Sequence, residues 1–165
     1  MGQKHSHDKK IHRHDTLTIN RPNIFDDAVD LEEEAEELKL GNLVLNTFDL
    51  GGHETARLIW KDYFPAVKAI LFLIDAVDTK RFPEAKKELE DILKRPEIVN
   101  IPIAILGNKI DMAGAVSLEE LKEALSYDEI VANETRPMEI FMVSVTKKIG
   151  YSKALEWIST KIPDE

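Results

Sequence analysis

Cysteine is absent from the 165 residues, which excludes disulfide staples, thiolate metal sites and thiol chemistry and fits a reducing compartment. No apolar run approaches the ~20 residues that cross a bilayer, and the N-terminus lacks the short hydrophobic core of a secretory signal. Glycine is scarce, with seven in all and none between positions 3 and 40. That stretch therefore holds no glycine-rich phosphate loop. Positive charge is also in deficit: 22 Lys and Arg against 31 Asp and Glu leave a net charge of −9. Such a surface repels phosphate backbones, so no nucleic-acid partner is expected.

What is present suits one globular domain. Hydrophobic residues make up 43% and charged residues 32%, and the length supports a single core rather than two. The charge is uneven. Lys4, Lys9, Lys10 and Arg13 share a tail with His5, His7, His12 and His14, and an acidic block from Asp26 to Glu37 follows. Neither stretch can build a core. Residues 1–35 read as a polar, disordered extension with a short strand possible at Leu17–Ile19, and residues 36–165 as the folded domain. Met1-Gly2-Gln3-Lys4-His5-Ser6 fits the acceptor pattern for N-myristoylation at Gly2. The His-rich tail has the composition of a transition-metal binder, or of a merely solvated segment.

From Leu38 the texture changes. Two apolar runs about Gly41-Asn42 predict a hairpin. Ala69 to Ile74 and Ile101 to Gly107 are apolar on successive positions, which predicts strands buried on both faces of a parallel sheet. Ile140 to Val143 is a third such strand. Between them, Pro83 to Lys94 carries a helical stripe, Ser117-Leu118-Glu119-Glu120 is a capping box, and Tyr151, Leu155, Ile158 and Ile162 stripe a closing helix. The alternation predicts an α/β domain with a parallel sheet, whose ligand residues belong on loops leaving the carboxyl ends of strands.

Three strand ends carry unusual residues. Asp49-Leu50-Gly51-Gly52-His53-Glu54 places a carboxylate where it could hold Mg²⁺ through water, and glycines where a backbone N–H could approach a phosphate. The same string also fits a plain glycine-rich turn. Asn108-Lys109-Ile110-Asp111 offers a carboxylate that can accept paired hydrogen bonds from guanine N1–H and its 2-amino group. The Lys109 stem can cover the ring, and Asn108 can bond the base or brace neighbouring loops. Val143-Ser144-Val145 ends the last strand, where backbone amides could reach the guanine carbonyl. In this order, with helices between, the three point to a guanine-nucleotide fold.

Further residues narrow the likeness: Thr47 to Glu54 with histidine at position 53, Ala56-Arg57, Trp60 to Phe64, Leu106 to Asp111, Arg136 to Met142, Gly150-Tyr151 and Trp157. On these, the chain from about Leu38 onward resembles the secretion-associated Ras-like (Sar-type) small GTPases of the Arf/Sar branch, which start COPII coat assembly at the endoplasmic reticulum. The resemblance implies a P-loop-type small-GTPase fold, a GTP-binding switch in endoplasmic reticulum to Golgi vesicle transport, and GTP/GDP with Mg²⁺ as cofactors. It implies Asp49 as the metal residue, the Gly52 amide on the γ-phosphate and His53 positioning the hydrolytic water. Asn108, Lys109, Asp111, Ser144 and Val145 would recognise guanine. Implied partners are the inner COPII coat proteins, an exchange factor, a GTPase activator and the endoplasmic reticulum membrane surface. The location would be cytoplasmic, peripheral to that membrane and the Golgi. Trp60 and Tyr63 would belong to the surface these partners read, or pack in the core.

The chain departs from the family pattern at its N-terminal end. Gly-x-x-x-x-Gly-Lys-Ser/Thr is missing with its strand and helix, and so is the metal-binding threonine of the first switch. The missing strand would lie inside the sheet, leaving the hairpin and the Ala69–Ile74 strand facing a gap that Leu17–Ile19 could partly fill. Three readings follow: a fragment of a working COPII-type GTPase, an inactive pseudo-GTPase, or a scaffold that keeps weak guanine recognition.

Overall fold

The computed structural model describes residues 17–20, 35–40, 43–50, 57–58 and 60–162. Its strands are β1 (Leu17–Asn20), β2 (Ala35–Leu40), β3 (Leu43–Leu50), β4 (Ile70–Asp75), β5 (Ile103–Asn108) and β6 (Met138–Met142). They form one sheet in the order β2-β3-β1-β4-β5-β6. The expected hairpin is there, with Leu40 opposite Leu43 across the Gly41-Asn42 connection. The expected parallel half is there too, with Ile70 opposite Ile103 and Ile103 opposite Met138.

The gap between hairpin and parallel half is filled by β1, which pairs with β3 on one side and β4 on the other. Both pairings are antiparallel, so Leu17 lies opposite Leu50 and Phe72. The central strand thus runs against β3 and β4, with its first residue, Leu17, towards the ligand end of the sheet. Four residues suffice here because antiparallel bonds form on both edges.

The described helices include α1 (Trp60–Tyr63), α2 (Phe82–Leu93), α3 (Leu118–Leu125), α4 (Tyr127–Asn133) and α5 (Tyr151–Ser159), with short 3₁₀ turns at Phe64–Ala66, Thr79–Arg81 and Pro96–Ile98. Because side chains alternate across a strand, β4 feeds two cores. Ile70, Phe72 and Ile74 join Ile103, Ile105 and Ile140 beneath Leu89 and Ile92 of α2 and Leu121 and Leu125 of α3. On the other face Ala69, Ala104, Leu106 and Val143 pack with Ala154 and Ile158 of α5. Helices therefore cover both faces, as continuous apolar strands require. Trp60 and Tyr63 are 3% and 7% exposed and belong to the larger core. Of the two readings of these aromatics, packing is the one the structure displays.

The capping box forms: Ser117 Oγ accepts from Glu120 N–H at 3.3 Å and Glu120 Oε2 accepts from Ser117 N–H at 2.7 Å. Helix α3 then stops at Ser126, whose φ of 52° is left-handed, and α4 starts at once. Within α4 the Tyr127 hydroxyl donates to Met138 O at 2.9 Å, and burial, helped by Glu139 and Asp128, pushes its pKa up to about 12. Arg136, with its side chain 2% exposed, ties this region down. Its Nη1 donates to Ile98 O at 3.1 Å, its Nη2 to Leu93 O at 2.8 Å and its Nε to Glu134 at 2.7 Å.

Candidate functional site

Parallel β4, β5 and β6 put their carboxyl ends on one edge, so the loops after Asp75, Asn108 and Met142 converge there. Gly107, just before the β5 loop, is packed closely: a Cβ there would lie 2.7 Å from Leu121 Cδ2 and Met142 Sδ. Its lack of a side chain lets α3 and β6 approach β5 and brings their loops together. Val143 N–H donates to Gly107 O at 2.8 Å and Ile110 N–H to Val143 O at 3.2 Å. Ala76 N–H donates to Asn108 O and Val116 N–H to Ala76 O, both at 2.9 Å.

Within this frame Asn108 is a brace. Its Oδ1 accepts from its neighbour's amide, Lys109 N–H, at 2.8 Å and from Val145 N–H at 3.1 Å, joining the β5 and β6 loops. Ser144, fully buried, donates from Oγ to Asp111 Oδ1 at 2.5 Å and accepts from Lys147 N–H at 3.2 Å. Asp111 is solvent-exposed, and among the described residues its Oδ2 has no partner. One carboxylate oxygen is thereby fixed and the other presented outward. The β6 loop is closed by the Ser144–Ile149 bridge and by Gly150, at φ +80°, where a Cβ would stand 2.6 Å from Met142 O. Asn108, Asp111, Ser144 and Val145 form one cluster, and Lys109 sits beside it in a left-handed conformation with φ 74°.

Asp49 lies on β3 opposite Thr18 of β1. Gly52 and His53 lie outside the described residues. Sequence reading missed Asp75. Its carboxylate ends β4 and accepts from Lys109 Nζ at 2.5 Å and Val77 N–H at 2.9 Å. The available signal was an acid closing an otherwise apolar strand.

Just after the Gly51-Gly52-His53 segment, Arg57 (14% exposed) binds α2. Its Nη2 donates to Glu84 Oε1 at 2.8 Å, while Arg81 Nε donates to Glu84 Oε2 at 2.8 Å. Arg57 Nη1 stands 2.9 Å from Glu88 Oε1 without hydrogen-bond alignment, so that contact is charge pairing alone. The Arg81 hydrogen bond, with help from Arg57 and against the pull of burial, lowers the Glu84 pKa from 4.5 to about 2. A depressed folded-state pKa stabilises the fold above pH 4.5 and loses that contribution as the pH falls towards 2. The Glu84 side chain is 37% exposed, so solvent screening keeps the effect modest. Urea unfolding should show the wild-type chain more stable than Glu84→Gln at pH 6, with the difference shrinking steadily towards pH 3.

A sequence model of the ADP-ribosylation factor family matches residues 26–162. The chain belongs to this Arf family of small GTPases. It is 35% identical over 133 residues to the small COPII coat GTPase SAR1 of Giardia intestinalis, covering 76% of this chain and 70% of that protein. It is 34% identical over 118 residues to ADP-ribosylation factor-like protein 8c of Arabidopsis thaliana, covering 72% and 62%. Among solved structures it resembles the Arl6 BBS3 small GTPase of Trypanosoma brucei with bound nucleotide analogue GppNp. There the TM-score is 0.73 at 26% identity, covering 86% of this chain and 85% of that one. As an Arf-family small GTPase the chain is a GTP-binding switch protein. The family binds guanine nucleotide with Mg²⁺ and works through exchange factors, activators and effectors. No helix among the described residues is long and apolar enough to cross a membrane.

The base end of a guanine nucleotide fits the residues present, because exposed Asp111 keeps one carboxylate oxygen without a partner among the described residues while Ser144, next to the exposed Val145, holds the other. Among the described residues no group of three His, Asp or Glu could hold a metal.

Proposed function

We propose that the chain is a Sar-type member of the Arf family, a guanine-nucleotide switch for COPII coat recruitment. It would act between endoplasmic reticulum and Golgi, on the cytoplasmic side of the membrane. The observation that carries the nucleotide part is the Asn108–Asp111–Ser144–Val145 cluster, a preset acceptor for guanine's N1–H and 2-amino group. Support for the COPII branch comes from His53 within Asp49-Leu50-Gly51-Gly52-His53-Glu54 and from likeness to SAR1 proteins. In this reading Asp49 takes the metal through water, the Gly52 amide meets the γ-phosphate and His53 orients the attacking water. Asn108, Lys109, Asp111, Ser144 and Val145 hold the base. The bound nucleotide supplies the terminal phosphate whose loss to the attacking water resets the switch. The GTPase domain is residues 36–165, and residues 1–35 are an extension that lends it the strand β1.

A second reading is favoured by two observations. Positions 3 to 40 hold no glycine, and the strand at the centre of the sheet runs antiparallel to its neighbours. Both argue for a guanine-binding scaffold that does not turn over GTP, because the phosphates lose their cradle. Titration with fluorescent GDP in excess Mg²⁺, competed by GDP and by guanosine, separates the two. A switch binds GDP below micromolar and far more tightly than guanosine. A scaffold binds both weakly and alike. Equal competition by ADP would overturn both readings. Liposome recruitment of purified inner-coat proteins by the GppNHp-loaded chain tests the COPII assignment, and no recruitment sinks it.

A further inference from the structure

Asp75 has no role in base recognition as described above, yet it is more buried than any acid of the base cluster. Its carboxylate is 9% exposed and bridges Val77 N–H, through Oδ1, to Lys109 Nζ, through Oδ2. The residue it holds is constrained at both ends. Lys109 has a left-handed backbone, and its N–H is anchored on Asn108 Oδ1. Its ammonium is anchored on Asp75, 34 positions away in sequence. Between these two points the aliphatic stem cannot swing freely. It borders an open cavity of about 350 Å³ that Asp75, Asp78, Thr79 and Met112 also line.

We propose that Asp75 is a positioning residue for nucleobase binding: by clamping Lys109 Nζ it holds the lysine stem as a preformed platform for the face of a purine ring. This rests on the guanine reading above. A free lysine side chain loses rotamer freedom when it is ordered, and a stem already held loses less on binding. The platform touches the ring face, which guanine and hypoxanthine share. The edge, where they differ by the 2-amino group, belongs to Asp111. Asp75 therefore sets how tightly a purine binds and leaves the choice between purines unchanged.

The test is titration of the ¹⁵N-labelled full chain with guanosine and with inosine, following the Val145 amide. The proteins compared are wild type, Asp75→Asn, Lys109→Met and the double variant. Asp75→Asn keeps an acceptor for Val77 N–H but loses the ion pair. It should weaken both nucleosides by the same factor, about 3- to 10-fold, leaving the guanosine-to-inosine ratio as in wild type. In the Lys109→Met background the same change should have no further effect. A changed ratio, an equal loss in both backgrounds, or no loss at all would overturn the proposal. If the Asp75→Asn spectrum shows an unfolded chain, Lys109→Met decides alone: parallel weakening supports the clamp and unchanged affinity refutes it. Wild type that shifts with neither nucleoside sinks the base-site reading and the clamp together. Binding by wild type with Asp75→Asn unaffected sinks only the clamp.

Discussion

Asp111→Asn is expected to move the chain's preference from guanosine to xanthosine. The Ser144 hydroxyl donates to Oδ1 of residue 111 from a fully buried position, so the oxygen of the new amide is held there and the NH₂ faces outward. Guanine then meets donor against donor at its 2-amino group, whereas xanthine offers a carbonyl at that place. A hydrogen bond to a charged group contributes ~1.5–3 kcal/mol, and an unmatched donor adds its own desolvation cost. The guanosine-to-xanthosine ratio should therefore fall by about two orders of magnitude or more, in line with sites built to hydrogen-bond one edge. Competition binding with the two nucleosides measures it directly. Asp111→Ala should lose guanosine without gaining xanthosine. If both variants keep wild-type preference, the base is read elsewhere.

The second large effect concerns stability alone. Arg136→Met should lower the unfolding free energy by about 3–5 kcal/mol, the usual range when one partner of a buried polar network is removed. The carbonyls of Leu93 and Ile98 end α2 and the turn after it, and both accept from this guanidinium. Without it Leu93 O loses this bond and Ile98 O keeps only the 3.1 Å bond from Ile101 N–H, and a buried carbonyl left short of a partner costs ~1–3 kcal/mol. Arg136→Lys should recover little, since one ammonium cannot reproduce a planar fork that reaches two carbonyls and Glu134 at once. Urea unfolding followed by circular dichroism gives the number, and a loss below 1 kcal/mol would show that water satisfies both carbonyls.

Much of this was legible before the fold was seen. Continuous apolar runs identified β4 and β5, because residues buried on both faces cannot alternate with polar ones. The Ser117 capping box marked the start of α3 because its chemistry is local. Asn108 to Asp111 stood out because a carboxylate at a strand end matches the guanine edge. The unread features share a different origin. Arg136 reaches carbonyls 38 and 43 positions away, and Asp75 meets Lys109 across 34. No periodicity reports such pairings. Helix α4 lacks a side-chain cap and follows α3 without a break, so it left no start signal. Strand direction is likewise silent, since Leu17-Thr18-Ile19 alternates identically when read either way.

The orientation of β1 has a consequence for how the sheet assembles. The hairpin β2–β3 closes through neighbours in sequence, and β4–β5–β6 closes through short crossovers. Between these two units the only ladder among the described residues is β1, four residues long. Its bonds to β4 span roughly fifty positions of chain, so their loop-closure cost falls due before any reward. The protein should therefore fold as two cooperative halves joined late by a narrow clasp, and breathe along the same seam, with the hairpin opening while the half that carries the Asn108–Asp111 loop stays shut.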